Sequence, residues 1–451
     1  MFMSKISCFR FVVLSGCILI TQTSCSHPKL AEKPMLESVD ASVRAVPIAS
    51  QTQVEARGKK WMVSTQGKFA TDEAAKVLRD GGNVIDAAIV ASLVIGVERP
   101  QSTGIGGGGF MIYHEAKTGK NYVIDFRERA PAKAQPKMFL DEKGNVVLNA
   151  SVTGSLAVAV PGMIRGLSFL HSRFSKRDWR TLVWPAQALA QKGFEVYPSL
   201  AFAINEEKTD LAKYPESRAT FLHSDGSPLK LGERLVQVNL SKTLRTLAST
   251  PEDFYRGMIA RKILSSVKKY GGILQARDLT TYQVKERKAI EAAWRGYKVV
   301  SMPPPSSGGI HVVQILKLLE NDKLAGMGFL SPKSLHLEAS AMQQAFADRA
   351  RYLGDPDFVK VPAHGLISDK YLSDLRSQFD LSHAKSASAV NPGNPLPEDE
   401  MNTSHITIMD QAGNVVVSTQ TINGYFGSKL VAEGTGIVLN NEMDDFAAKP
   451  G

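Results

Sequence analysis

Over residues 83–97 the chain is apolar on nearly every face, and Asp86 is the one charge inside the run. A helix without a polar face is a buried helix, so this segment predicts the centre of a core. Residues 71–80 predict a shorter helix just ahead of it. Thr71 is placed to cap that helix, Asp72 and Glu73 suit its positive end, and Gly81-Gly82 suit its stop. Residues 110–114 and 122–126 predict strands, and alternating strands return at 404–409 and 415–421. Further helices are expected near 183–192, 258–270, 310–320 and 335–351. The mixture predicts an α+β or layered α/β fold around a core. Residues 384–400, rich in Ser, Asn, Pro and acidic side chains, predict an exposed loop just before Thr403.

The N-terminus changes the picture of where this core works. Lys5 and Arg10 precede an apolar run at 11–20 and a small polar region at 21–26. The run is too short to span a bilayer as a helix and matches the h-region of an export signal. All three cysteines, Cys8, Cys17 and Cys25, lie in this leader, so a mature chain starting near residue 25 has no internal disulfide. Cys25 follows the run at the position where a bacterial lipoprotein is cut and acylated. Leu14-Ser15-Gly16-Cys17 matches the lipoprotein motif better but lies inside the run. Two outcomes stay open: a lipid-anchored protein, or a soluble periplasmic or secreted one. Residues 1–25 are thus assigned as leader and 26–58, polar with Pro28, Pro34 and Pro47, as a tether.

The 451 residues are 43% hydrophobic and 22% charged, ordinary globular values that exclude a long disordered protein. The net charge of +10 is spread along the chain rather than gathered into a stripe with aromatic side chains. It reads as a basic surface and argues against nucleic acid as a partner. The nine histidines show no ligand spacing, and no metal or organic cofactor is expected.

Two glycine-rich stretches invite a nucleotide reading. Gly104-Ile105-Gly106-Gly107-Gly108-Gly109 fits G-x-G-x-x-G, but a strand-like run follows it where a dinucleotide site needs a helix. Successive glycines instead suggest backbone packed on backbone or ligand. Ser306-Ser307-Gly308-Gly309 predicts a tight turn into a helix.

The most informative stretch is 401–423. Two β-rich runs flank a turn-forming set at 410–414, which predicts a hairpin. A turn centred on Ala412 sets Thr403 opposite Thr421, with the two side chains on one face and Cβ atoms about 5 Å apart. From the residues alone this is either a supporting Thr–Thr pair or a pair in which one hydroxyl orients the other.

From about residue 58 to 451 the chain resembles the γ-glutamyltranspeptidases. The resemblance rests on Gly81-Gly82-Asn83-Val84-Ile85-Asp86-Ala87-Ala88, the glycine run into Phe110, and Asp125-Phe126-Arg127-Glu128. Ser301 through Gly309, Ala347-Asp348-Arg349 and Tyr352-Leu353-Gly354-Asp355-Pro356-Asp357-Phe358 also match. Thr403-Ser404-His405 and Leu439-Asn440-Asn441-Glu442-Met443-Asp444-Asp445-Phe446 complete it. The resemblance implies an α+β N-terminal-nucleophile hydrolase fold, an αββα four-layer sandwich. It implies a precursor that cuts itself between Asn402 and Thr403, giving a large-subunit region, 59–402, and the start of a small subunit, 403–451. Thr403 is then the nucleophile, with its freed α-amine as base, and Thr421 supports it. Arg127 is the implied ligand of a substrate α-carboxylate, Glu442 and Asp445 of its α-ammonium, and Asn423 an amide contact. Asp444 is left as a solvated or structural side chain.

The reaction so implied is transfer of a γ-glutamyl group from glutathione and related amides to water, amino acids or dipeptides, with no cofactor. The chain ends 49 residues counting from Thr403, whereas family small subunits run longer and carry a serine pair and a Gly-Gly turn that supplies oxyanion donors. A fragment or a truncated member is therefore expected, with the sandwich incomplete at its C-terminus. Two rivals remain: a related acylase that removes β-lactam side chains, and a non-catalytic, surface-anchored binding protein.

Overall fold

The computed structural model describes residues 13–14, 17–18, 56–386, 389–390, 403–446 and 448–449. Cys25, Asn402 and most of the 384–400 loop lie outside the described residues. The chain divides into two units, Met1–Arg57 and Gly58–Gly451. In the first, Val13–Leu14 pairs with Cys17–Ile18 in a short antiparallel ladder. Elements of the second are numbered here.

Six strands form its one large sheet: β1 (Trp61–Thr65), β2 (Gly108–Glu115), β3 (Lys120–Asp125), β4 (Lys285–Arg287), β5 (Thr403–Asp410) and β6 (Val415–Thr421). Their order is β1-β5-β6-β2-β3-β4, antiparallel throughout. The β5–β6 hairpin therefore sits within the sheet, between segments far away in sequence. Side chains alternate across a strand. In β6 Val416, Ser418 and Gln420 are buried, while on the other face Thr419 is exposed and Val415, Val417 and Thr421 are half-buried.

The buried face carries the main core. Helix α2 (Val84–Glu98) lies against β5 and β6 and is flanked by α1 (Lys68–Arg79), α3 (Met163–Phe174) and α4 (Trp179–Lys192). All 15 residues of α2 are buried, as its lack of a polar face predicts. Its start is a reciprocal cap: Asn83 Oδ1 accepts from the Asp86 N–H and Asp86 Oδ2 from the Asn83 N–H, each at 2.8 Å. Other helices include α5 (Pro198–Leu211), α6 (Val238–Ser249), α7 (Met258–Lys269), α8 (Gly308–Leu318) and α9 (Pro332–Tyr352). The arrangement is α+β, as expected.

Two expectations need correction. Helix α1 begins at Lys68, so Thr71 is inside it and pairs with Thr65 Oγ1 at 2.8 Å instead of capping. Its first amides are held by a distant group: Glu98 accepts from Phe69 N and Ala70 N at 3.2 and 3.0 Å. Helices α3, α5 and α6 were not anticipated. Inside α3 the chain places Gly166, a weak helix former, because any Cβ there would meet the Phe126 ring at 2.3 Å.

Candidate active site

The hairpin register is the one the turn residues imply. Thr403 pairs with Thr421, and the ladder runs in step to Met409 and Val415. Asp410 makes the turn: its carboxylate accepts from Asn414 N at 3.0 Å and from Asn414 Nδ2 at 2.8 Å, while Gly413 takes φ 86°. Thr421 Oγ1 accepts from the Asn423 N–H at 2.8 Å.

The glycine run packs against this end of the hairpin. A Cβ on Gly107 would lie 2.0 Å from the Thr421 carbonyl, one on Gly106 2.1 Å from the Val438 carbonyl, and one on Gly109 2.4 Å from the Thr419 carbonyl. Gly108 pairs with Thr421 as part of β2. The run is therefore a backbone-on-backbone seam leading into a strand.

Beyond β3, Asp125 Oδ1 accepts from the Arg127 N–H at 3.0 Å, and its other oxygen takes Arg287 Nε at 2.6 Å. The Arg127 guanidinium turns away from these near neighbours. It lies over the Phe110 ring at 5.8 Å and pairs with Glu442 Oε1 at 2.7 Å and with Asp445 Oδ2. A surface ion pair with Asp125 or Glu128, the bland alternative for Arg127, is not what forms. Asp444 accepts from Ser151 Oγ at 2.5 Å, a structural role.

Three carboxyls thus crowd one guanidinium, and Glu128 is the one that sequence reasoning missed. It is 7% exposed, both its oxygens lack hydrogen-bond partners among the described residues, and Glu442 Oε2 does too. Burial pushes both carboxyls up, Glu128 well above the usual range and further because Glu442 faces it; Arg127 opposes the shift at Glu442. Of the two, Glu128 is held further above the ordinary carboxylate range, because burial is joined there by the neighbouring Glu442. The available signal was adjacency: Glu128 directly follows Arg127 in the Asp125-Phe126-Arg127-Glu128 stretch.

Asn423 is at φ 72°, a conformation Asn tolerates better than most residues. Its Nδ2 donates to the Asn441 carbonyl at 3.2 Å. Asn441 returns its N–H to the Ile422 carbonyl at 3.2 Å, and its side-chain oxygen takes Gly424 N at 2.9 Å. Asn440 Oδ1 accepts from Glu442 N at 3.0 Å. The structure thus gathers Thr421, Asn423, Glu442, Asp445 and Arg127 around one sheet end, with the Thr403 backbone at the same edge.

The site joins a strand-terminal threonine pair to an arginine held by two acids. The comparisons are specific. The family model for gamma-glutamyltranspeptidase matches residues 70–451. The glutathione hydrolase proenzyme of Escherichia coli (strain K12) is 42% identical over 396 residues, 88% of this chain and 68% of that protein. The acylase ACY 1 proenzyme of Pseudomonas sp. (strain SE83) is 37% identical over 403 residues, 88% of this chain and 71% of that one. The crystal structure of Helicobacter pylori gamma-glutamyltranspeptidase superposes with TM-score 0.73 at 38% identity, over 75% of this chain and 97% of that one. The chain belongs to the γ-glutamyltranspeptidase family.

Proposed function

We propose that the chain is a precursor that cuts itself between Asn402 and Thr403 and then transfers γ-glutamyl groups from glutathione and related amides. The observation that carries this reading is the register that sets Thr403 opposite Thr421 at the sheet end, beside the Arg127–Glu442–Asp445 cluster. In the precursor the Thr403 hydroxyl attacks the Asn402 carbonyl, the C–N bond breaks as the ester forms and so frees the Thr403 α-amine, and water then hydrolyses the ester to an Asn402 carboxylate and the Thr403 hydroxyl. That amine, with a pKa near ~8, is a base for the same hydroxyl at neutral pH. Thr403 then attacks the γ-carbonyl, the amine product leaves with a proton, and water or an amino acid takes the acyl group.

The ion cluster supports a zwitterionic substrate head. A γ-glutamyl group carries an α-carboxylate and an α-ammonium, and inserting it between Arg127 and the acids exchanges one set of opposite-charge contacts for another without changing net charge. Arg127 takes the carboxylate as a fork, Glu442 and Asp445 take the ammonium, and Asn423 adds an amide contact. A glutaryl side chain, which has no ammonium, would leave Glu442 buried and unmatched, so the acids favour γ-glutamyl over acylase substrates.

The basic and apolar leader supports export to the periplasm, with Cys25 as the candidate lipid anchor. Among the described residues no helix is long and apolar enough to cross a membrane.

The test is a gel of the exported protein, with γ-glutamyl and glutaryl anilides assayed side by side. Two fragments with a new N-terminus at Thr403, both lost in Thr403→Ala, and turnover of the γ-glutamyl anilide are expected. Active protein with the 402–403 bond intact ends the proposal, and preference for the glutaryl anilide favours the acylase reading. Palmitate labelling that disappears in Cys25→Ala tests the anchor.

A further inference from the structure

Lys429 combines two unfavourable features. Its backbone is at φ 65°, a region that costs a side-chain-bearing residue and is natural to glycine. Its side chain is 4% exposed, and a buried ammonium is tolerated only when paired. The partner is Glu207 of α5, whose Oε1 lies 3.1 Å from Nζ; Nζ also donates to the Tyr425 carbonyl. A residue held against two preferences marks a position that the surroundings over-determine, often beside a functional site.

The surroundings here are a loop with two more residues in the same backbone region, Asn423 at φ 72° and Phe426 at φ 52°. Phe426 is fully buried, its N–H donates to the Gln101 carbonyl at 3.0 Å, and its ring packs on Phe221 with centroids 4.7 Å apart. Next to Lys429, Ser428 donates from both N and Oγ to the Leu439 carbonyl, at 3.0 and 2.9 Å. Ser217 Oγ donates to the Lys429 carbonyl at 2.8 Å. The 423–429 loop and the 439–442 segment are therefore one hydrogen-bonded body, with Asn423 at one end, Glu442 beside it and Lys429 at its base.

We propose that Lys429 is a positioning residue: its buried ion pair with Glu207 anchors this body to α5 and so fixes where Asn423 and Glu442 meet the substrate head. The claim that the body is anchored stands on geometry; its consequence for substrate rests on the γ-glutamyl reading above. Lys429 touches no reacting atom. It acts through the loop, and the acid that holds it comes from α5, which supplies none of the proposed substrate contacts.

Lys429→Met, Lys429→Gly, Glu207→Gln and the Lys429→Met/Glu207→Gln double variant form the test, each first shown by gel to be cut at Thr403. Lys429→Met is expected to raise the KM for a γ-glutamyl anilide about tenfold while kcat stays within about threefold. Glu207→Gln should match it, and the double variant should be no worse than either, as for two residues acting as a unit. Lys429→Gly relaxes the backbone yet loses the ammonium, so it too should raise KM. Hydrogen exchange at 422–424 and 440–442 should quicken at least tenfold in Lys429→Met, with α2 unchanged. Unaltered exchange in these segments, or a lowered Tm with KM unmoved, overturns the proposal. Absence of γ-glutamyl turnover in the wild type overturns the functional reading instead, and the exchange data still decide whether the pair anchors the loop.

Discussion

Gly107→Ala adds one methyl group at the seam between the glycine run and the β5–β6 hairpin that carries Thr403. The new Cβ would sit 2.0 Å from the Thr421 carbonyl oxygen and 2.8 Å from Ile422 Cγ2, where ordinary contact begins at 3.4 Å. The gap must open by about 1.4 Å, and neither side yields easily. The Thr421 carbonyl belongs to a central strand, and the Gly107 carbonyl accepts from both Gly162 N and Met163 N at 3.0 Å. Overpacking of this kind costs about 1–3 kcal/mol of stability. A shift of about 1 Å in a reacting group costs on the order of 100-fold in rate, so activity should fall further than stability. The assay pairs thermal unfolding with kcat/KM for a γ-glutamyl anilide and the fraction cut at Thr403. Gly326→Ala is the control, since nothing lies within 4 Å of its Cβ and its φ is not positive. If Gly107→Ala cuts itself and turns over substrate within twofold of the control, the seam does not set the position of Thr421 and the reasoning fails.

Arg127→Met removes the guanidinium from Glu442, whose side chain is 3% exposed, and should lower donor kcat/KM at least about 100-fold; Arg127→Lys should restore only part, because a point charge lacks the fork. With Arg127 24% exposed, the accompanying loss of stability is put at about 2 kcal/mol, below the figure for a fully buried pair. For Glu128 the folded-state pKa is raised above the ordinary 4.5. Its contribution to stability is therefore complete below about pH 4.5 and is lost as pH rises through the folded value. Glu128→Gln, always neutral, should gain on the wild type in denaturant midpoint as pH climbs through that window; parallel curves would show that Glu128 is ionised in the fold. Asp86 is fully buried and accepts from Asn83 N, Lys176 N, Arg177 N and Ser175 Oγ. Asp86→Ala should cost roughly 2–4 kcal/mol by orphaning these donors, and a Tm within a degree of wild type would contradict it.

Much of the site was legible one residue at a time. Local rules sufficed wherever partners lie close in sequence. The all-apolar α2 and the 403–421 register follow from spacing, because a turn and a period dictate who faces whom; Asn83, read as part of α2, is its cap. Residue type also told that the glycine run is a close approach, since no other side chain fits between two backbones. What approaches it was not legible. That Gly107 meets Thr421 and that β5 and β6 are inserted between β1 and β2 are long-range facts, and nothing in either segment names the other.

The same division holds for charge. Sequence marked Arg127, Glu442 and Asp445 as candidates through family resemblance, while an ion pair of the arginine with near neighbours such as Asp125 was the plainer alternative. Only the fold sends Asp125 to Arg287 and Arg127 to acids more than 300 residues away. It also gives helix α1 its N-terminal partner, Glu98, in place of the nearby Thr71. Glu128 shows the limit most clearly: its residue type says acid, while its burial beside Glu442 is what pushes its pKa up. Composition and pattern along this chain marked the helices, strands and turns with a strong period, though not α3, α5 or α6, and the groups that carry chemistry. Distance and solvent exclusion, which set the energy of a charge or a clash, exist only once the segments have packed.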